Sequence, residues 1–164
     1  MRRFLVISAV LTALTVPLAQ AGTSQGDGTL SVKKGRGTLM LKLKGTVIGR
    51  VNTSGRVQIR DLKPFDGNNP QLTCQPKPRH LSLGVTLCTG KNIALRVNDG
   101  RFNVSVKGNG ISISAVGRGR VDVDGTGETG VADGLMSIDN GPYQSLPDAK
   151  ATFYLGTPPS QPVR

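Results

Sequence analysis

The chain has 164 residues, of which 21 are Lys or Arg, 10 are Asp or Glu and one is His, so its net charge is +11 at neutral pH. This length accommodates one domain of ordinary size and argues against two. Two cysteines are too few for a four-thiolate zinc site or a disulfide-rich scaffold, and a single histidine excludes any site that needs two imidazoles.

The first 21 residues have the pattern of a secretory signal peptide. Arg2 and Arg3 form a basic start, residues 4–16 are apolar apart from Ser and Thr, and Ala19-Gln20-Ala21 matches an A-x-A cleavage site. The apolar run is shorter than the ~20 residues that span a bilayer, which makes a membrane anchor the weaker alternative. We therefore expect export, with a mature chain that begins near residue 22 and contains no transmembrane segment.

The mature chain is expected to form one domain over residues 22–156, followed by a Pro-rich polar tail over residues 157–164. Export places the protein in a secreted or extracytoplasmic location, which is the periplasm or cell envelope if the source is bacterial. Cys74 and Cys88 then lie in an oxidising compartment, where a disulfide bond between them is favoured over a reactive thiol pair.

Apolar and polar residues alternate with a period of two along much of the mature chain, a pattern that predicts β-strands. Glycine-containing turn signals separate the alternating runs, at residues 34–37, 53–55, 98–100, 108–110 and 139–141. No segment has a convincing helical period. The strongest hairpin prediction joins residues 93–97 to residues 101–106 through Asn98-Asp99-Gly100. The predicted strands lie around residues 39–44, 56–60, 93–97, 101–107, 111–114, 120–124 and 151–155.

This spacing predicts a single all-β domain, an antiparallel β-sandwich or barrel of about eight to ten short strands. A parallel β-solenoid is the alternative, but it needs a fixed sequence repeat, and the chain has only a faint one. Residues 63–79 hold four prolines and are the least regular stretch. They predict a long loop, which is a candidate location for a functional site because loops of this length often contain one.

Charge is distributed unevenly along the chain. Residues 22–120 contain 17 basic and 4 acidic residues, whereas residues 121–164 contain 2 basic and 6 acidic ones. If the apolar residues of each strand face inward, a set of basic residues faces outward and forms one electropositive sheet surface. This predicted anion-binding set is Lys42, Lys44, Arg56, Arg60, Arg96, Lys107, Arg118 and Arg120.

An electropositive surface attracts anionic partners: envelope polyanions, acidic polysaccharides, nucleic acids or lipid headgroups. The competing interpretation is that these charges keep a β protein soluble and protect its strand edges. Nucleic acid is the least favoured partner, because single-strand binding uses aromatic side chains that stack on bases and the basic region offers only Phe65 and Phe102. No helix is predicted that could enter a major groove.

A second candidate site follows from an acidic segment with the spacing of an EF-hand-type calcium loop. Asp122, Asp124, Thr126 and Asp133 occupy positions 1, 3, 5 and 12, and Gly127 occupies position 6. The segment lacks a flanking helix pair, and a Gly-rich hairpin with exposed acids would have the same letters. A calcium-stabilised extracellular module is therefore an alternative prediction, with Ca²⁺ as the only cofactor considered.

The residues available for catalysis are few. His80 is the only imidazole, and the chain has neither a nucleophile elbow nor a Cys–His signature. Paired carboxylates such as Asp61 and Asp66 would suit glycoside hydrolysis, but Trp is absent and Tyr occurs only twice. The sequence thus predicts a non-enzymatic structural or binding module that holds an anionic envelope polymer or polysaccharide. Self-assembly through exposed strand edges is a further alternative.

Overall fold

The computed structural model describes residues 26–156, and within them the chain forms strands, turns and loops without a helix. The predicted signal peptide and the predicted tail lie outside these residues. No helix among residues 26–156 is long and apolar enough to cross a membrane. The strands are β1 (Gly28–Asp61), β2 (Gln71–Gln75), β3 (Arg79–Ser82), β4 (Val85–Asp124), β5 (Leu135–Ile138), β6 (Gln144–Ser145) and β7 (Ala151–Leu155).

Most of the fold is built from β1 and β4, which pair with each other along both of their edges. One antiparallel ladder runs from the pair Gly28 and Gly117 to the pair Arg60 and Val85. The second ladder is displaced along the strands, so that Gly45 lies opposite both Gly100 and Gly117. Two strands can meet on both edges only if the hairpin that they form is wound around itself.

The winding divides both long strands into segments. We label the segments of β1 as β1a (28–36), β1b (37–44), β1c (45–54) and β1d (55–61). Those of β4 are β4a (85–90), β4b (91–99), β4c (100–107), β4d (108–116) and β4e (117–124). One layer has the order β1a–β4d–β1c–β4b, and the other has the order β4e–β1b–β4c–β1d–β4a. Two layers made from alternating segments of one long hairpin form a jelly roll.

The short strands extend the edges of the two layers. In the first layer β5 pairs with β1a, β6 pairs with β5, and β2 pairs with β4b. In the second layer β7 pairs with β4e, and β3 pairs with β4a. All of these ladders are antiparallel, which confirms the all-β sandwich or barrel and excludes the parallel solenoid. The expected eight to ten short strands are instead the segments of two long strands together with five short ones.

The core lies between the layers and is formed by the apolar half of each alternating run. Leu39 and Leu41 of β1b, Ile59 of β1d and Phe102 of β4c face inward and are almost completely buried. The inward residues of the first layer, such as Ile111 of β4d, join the same continuous cluster. Because alternate residues of a strand point to opposite sides, burying these residues turns their polar neighbours to solvent.

Glycines from neighbouring strands lie opposite one another where the sheet passes from one layer to the other. A Cβ on Gly45 would overlap the carbonyl oxygen of Val116, and a Cβ on Gly117 would overlap that of Lys44. Gly45 and Gly117 also have φ values of 152° and 151°, which L-residues rarely adopt. The two glycine rows are Gly28–Gly117–Gly45–Gly100 and Gly37–Gly108–Gly55–Gly90.

The predicted hairpin through Asn98-Asp99-Gly100 is wrong. Val97 lies opposite Val47, and Phe102 lies opposite Leu43, so residues 93–97 and 101–106 belong to different layers. At Asp99, which has a φ of 30°, β4 bulges and continues around the corner instead of reversing. The signals at residues 34–37, 53–55 and 108–110 likewise mark corners, and only the one at residues 139–141 closes a hairpin, between β5 and β6.

The predicted disulfide bond between Cys74 and Cys88 is present, with an S–S distance of 2.11 Å. Cys74 lies in β2, an edge strand of the first layer, whereas Cys88 lies buried in β4a of the second layer. The bond therefore joins the two layers beside the corner at Gly90. The stretch over residues 63–79, predicted as a loop, is more regular than expected because β2 and the start of β3 fall within it.

We expect Gly45→Ala to lower the free energy of unfolding by about 3–5 kcal/mol, because it combines steric overlap with an unfavourable φ. Gly67→Ala is the matched control: Gly67 also has a positive φ, 83°, but no atom lies within 4 Å of a Cβ placed there. That variant should lose only about 1–2 kcal/mol. Equal losses in urea unfolding would show that close strand approach at the corner is not required.

Replacing both cysteines with alanine should lower the free energy of unfolding by roughly 3 kcal/mol, because the disulfide bond reduces the conformational entropy of the unfolded chain. Thermal unfolding with and without reductant provides the control. The wild-type protein should lose stability on reduction, and the Cys74→Ala/Cys88→Ala variant should not respond. A variant as stable as the oxidised wild type would contradict a stabilising role.

Candidate anion-binding surface

The outer surface of the second layer carries eight of the 18 Lys and Arg side chains in residues 26–156. Alternation in β4e, β1b, β4c and β1d places their apolar residues in the core and their Lys and Arg residues on the solvent side. We call this surface the basic face. Its basic members are Lys42, Lys44, Arg56, Arg60, Arg101, Lys107, Arg118 and Arg120.

The register between the strands aligns these cations in rows across the sheet. Lys44 lies directly opposite Arg118 on one side and Arg101 on the other, so three cations occupy adjacent positions on three segments. Residues that face each other in this way have Cβ atoms about 4.5–5.5 Å apart. The next row, two residues along each strand, consists of Arg120, Lys42, Asn103 and Arg60.

Carboxylates compensate only one side of this arrangement. The Nε atom of Arg118 lies 2.9 Å from Oδ1 of Asp27, and that of Arg120 lies 2.7 Å from Oδ1 of Asp122. Among residues 26–156, no ion pair involves Lys42, Lys44 or Arg101. Lys44 shares a second depression with Asp27, Asp99 and Arg118, although neither carboxylate lies within ion-pair distance of Lys44.

The carboxylate of Asp122 is held in its ionised form. The hydrogen bond from Arg120 and a second one from the hydroxyl of Thr152, with an oxygen–oxygen distance of 2.7 Å, lower the pKa of Asp122 below its ordinary value. The same contact raises the pKa of Arg120. The carboxylate of Asp122 therefore pairs with cations at the edge of the basic face. A second cation, Nζ of Lys150, lies 3.9 Å from Oδ2 of Asp122.

An open depression of about 240 Å³ lies between the end of β1b and the start of β4c, beside Leu62. Lys42, Lys44 and Arg101 line it together with Asn103 and apolar atoms of Leu62. Ammonium and guanidinium groups offer several donors each and no acceptor, so such a group of side chains suits phosphate, sulfate or carboxylate oxygens. The depression is shallow, and its neighbours on the sheet are also cationic, so it forms part of an extended surface.

The structure places seven of the eight predicted anion-binding residues on the basic face and separates the eighth from them. Arg96 lies in β4b of the first layer, opposite Ile48 and Gln71, and faces away from the others. Arg101 was missed, although its alternation with the buried Phe102 gives the same signal that selected Lys107. Arg96 could not be assigned correctly, because the alternation does not show in which layer a strand lies.

The four predicted calcium ligands do not share a site: Thr126 and Asp133 contact each other, whereas Asp122 contacts Arg120. The carboxylate of Asp133 accepts hydrogen bonds from the backbone N–H groups of Thr126, at 2.6 Å, and Gly127, at 2.9 Å. The hydroxyl of Thr126 also donates to it and lowers the pKa of Asp133. Asp122 lies with Arg120, and Asp124 is half-buried opposite Thr38. Among the residues described, no three of His, Cys, Asp and Glu come together as a metal site would require.

Of the candidate catalytic residues, His80 lies at the surface of β3 and Asp66 in the exposed turn after β1, whereas Asp61 is the buried last residue of β1. His80 is exposed, and its Nδ1 atom lies 3.2 Å from the hydroxyl oxygen of Thr86. The carboxylate of Asp61 accepts from the backbone N–H of Lys63, and that of Asp66 accepts from the backbone N–H of Asn68. Both carboxylates therefore order the start of the loop.

Comparison of the chain with protein-family models, with curated proteins and with solved structures found no match. Evidence about function comes instead from the residues themselves. The basic face is the feature that combines density of charge, exposure and a shared orientation, and we take it as the candidate functional site.

The lowered pKa values of Asp122 and Asp133 imply a defined dependence of stability on pH. Each carboxylate stabilises the fold fully above the ordinary carboxyl pKa of about 4, and this contribution disappears as the pH falls through the lower pKa of the folded state. We expect Asp122→Asn to reduce the melting temperature at pH 7 and the difference from wild type to narrow towards about pH 2. Asp148→Asn is the control, because it removes the same charge at an exposed position and should change the melting temperature little. If the melting temperature of Asp122→Asn differed from that of wild type by the same amount at every pH, this role of Asp122 would be contradicted.

Proposed function

We propose that the protein is an exported, non-enzymatic binding module that holds a polyanionic component of the cell envelope on its basic face. The observation that carries the proposal is the alignment of Arg118, Lys44 and Arg101 on three adjacent segments, with a second cationic row beside them. The Cys74–Cys88 bond is compatible with the oxidising compartment that export implies.

Energetics supports a binding role over a purely solubilising one. Like charges directly opposite each other on neighbouring strands destabilise a sheet, by about 0.2–1 kcal/mol per pair. Solubility is served as well by charges of both signs spread over the surface. Asp27 already pairs with Arg118, so bound anions would chiefly remove the repulsion between Lys44 and Arg101, and the arrangement has lower free energy when the face is occupied.

The contrast between the two layers also supports the proposal. In the first layer, the row across the strands that contains Arg96 continues through Ile48, Ser114 and Ser31, which are all uncharged. The outer surface of the first layer also carries cations, Arg50 and Arg96, but neutral residues lie directly opposite each of them. Directly opposed cations are therefore a feature of the second layer, and export alone would not require them.

The shape of the basic face favours a polymer over a small molecule. The segments β4e, β1b, β4c and β1d together span roughly 15 Å across the strands, from the usual inter-strand spacing. The cations are distributed over this width, and the depression beside Leu62 is open to solvent. A polyanion can contact several rows at once and release counterions from each contact.

The proposal is tested by retention of the purified protein on isolated cell envelopes at increasing salt concentration. We expect retention at low salt that falls steeply as salt rises, because binding releases counterions. Arg60→Gln/Arg101→Gln should weaken retention at least tenfold and reduce the salt dependence by about one ion per side chain removed.

Arg50→Gln/Arg96→Gln is the matched control, since it removes the same two guanidinium groups from exposed positions of the opposite layer. It should retain nearly the wild-type affinity. If both double variants weaken binding equally, net charge and not the basic face is responsible. If the wild-type protein is not retained at low salt, the proposal fails.

A further inference from the structure

Large apolar side chains are exposed at one end of the basic face, in the connection between β1 and β4. Phe65 is 85% exposed, Leu83 69% and Leu62 50%. We call these three residues the apolar tip. An exposed phenyl ring and two leucines cost solubility, and side chains of this kind clustered on a surface mark an interaction site.

The chain holds the tip residues close together. Phe65 is the third residue of a turn in which the N–H of Asp66 donates to the carbonyl oxygen of Lys63 at 3.1 Å. Pro64 in the same turn packs against Gly84, which follows Leu83 directly. The N–H of Asp61 donates to the carbonyl oxygen of Gly84 at 2.7 Å and so joins the two ends of the connection. The backbone at Phe65 therefore lies near the backbone at Leu83.

Cations surround the tip, which is continuous with the basic face. The N–H of Leu62 donates to the carbonyl oxygen of Arg101 at 3.0 Å, and Leu62 lines the open depression with Lys42 and Lys44. Lys63 is exposed within the turn itself. Asp66 is the exposed acidic residue of the turn, and its carboxylate accepts the N–H of Asn68.

On the basis of the proposed function, we infer that the polyanion is a lipid surface: the apolar tip inserts at the boundary between headgroups and acyl chains, while the basic face lies on anionic headgroups. Charge complementarity identifies this partner, because lipid bilayers combine a negative surface with an apolar layer a few ångströms beneath it. A dissolved acidic polymer would engage the cations but leave Phe65 and Leu83 in water.

Insertion and electrostatic attraction act together in this geometry. Burial of apolar side chains at the interface adds to the attraction of nearby Lys and Arg for anionic lipid, and either contribution alone gives weak binding. Lys42, Lys44 and Arg101 lie beside Leu62, so their long side chains can reach headgroups while the tip is inserted.

The test is co-sedimentation with vesicles of phosphatidylcholine alone and of phosphatidylcholine with about one-third phosphatidylglycerol, alongside binding to soluble dextran sulfate. We expect the wild-type protein to bind the anionic vesicles at least tenfold more tightly than the neutral ones. Phe65→Ser/Leu83→Ser should lose about tenfold on anionic vesicles and keep its binding to dextran sulfate. Ile48→Ser, at a position 50% exposed in the other layer, is the control and should bind as wild type does.

A fluorescence measurement reports insertion directly, because the chain has no native tryptophan. In a Phe65→Trp variant, emission should shift to shorter wavelength when anionic vesicles are added, and in an Ile48→Trp variant it should not shift. Vesicle binding without this shift, or equal vesicle binding by Phe65→Ser/Leu83→Ser and wild type, would overturn the inference. Binding to dextran sulfate without binding to vesicles would overturn it while leaving the proposed function intact, and binding to neither would count against both.

Discussion

Close approach of backbone at two rows of glycines determines how this domain is built. At these rows β1 and β4 pass repeatedly from one layer of the sheet to the other, and the neighbouring carbonyl oxygens leave no space for a Cβ atom at positions such as Gly45 and Gly117. A hairpin as long as β1 and β4 would otherwise extend as a two-stranded ribbon, which buries little apolar surface. The corners allow it to wind, and winding encloses a core between two layers.

The same winding produces the basic face. Lys44, Arg101 and Arg118 are far apart in the chain, yet the two ladders between β1 and β4 place them side by side. Their repulsion is tolerated because the inward residues of those segments, Leu43 and Phe102 among them, are buried in the core. The apolar contribution to folding thus holds the cations in an arrangement that favours bound anions.

The connection between β1 and β4 has a different role from the rest of the domain. The backbone hydrogen bond between Asp61 and Gly84 joins its ends, and the Cys74–Cys88 bond fixes its middle to β4, while Phe65 and Leu83 remain in solvent. A rigid support with exposed apolar side chains is suited to contact with another surface, since little conformational entropy remains to be lost on binding. Its position beside Leu62 and Arg101 makes it an extension of the basic face.

Local sequence alone determined that the chain forms strands, which of their residues enter the core and that Cys74 pairs with Cys88. Period-two alternation sets the direction of each side chain, and therefore correctly predicted that Lys42, Lys44 and Arg56 face outward. Only the tertiary structure decided which strands are neighbours. Arg96 was grouped with the wrong layer, and Asn98-Asp99-Gly100 was interpreted as a hairpin turn, because glycine and asparagine suit a reversal and a bulged corner equally well. Register between distant segments, set by burial of a shared core, has no counterpart in a local pattern.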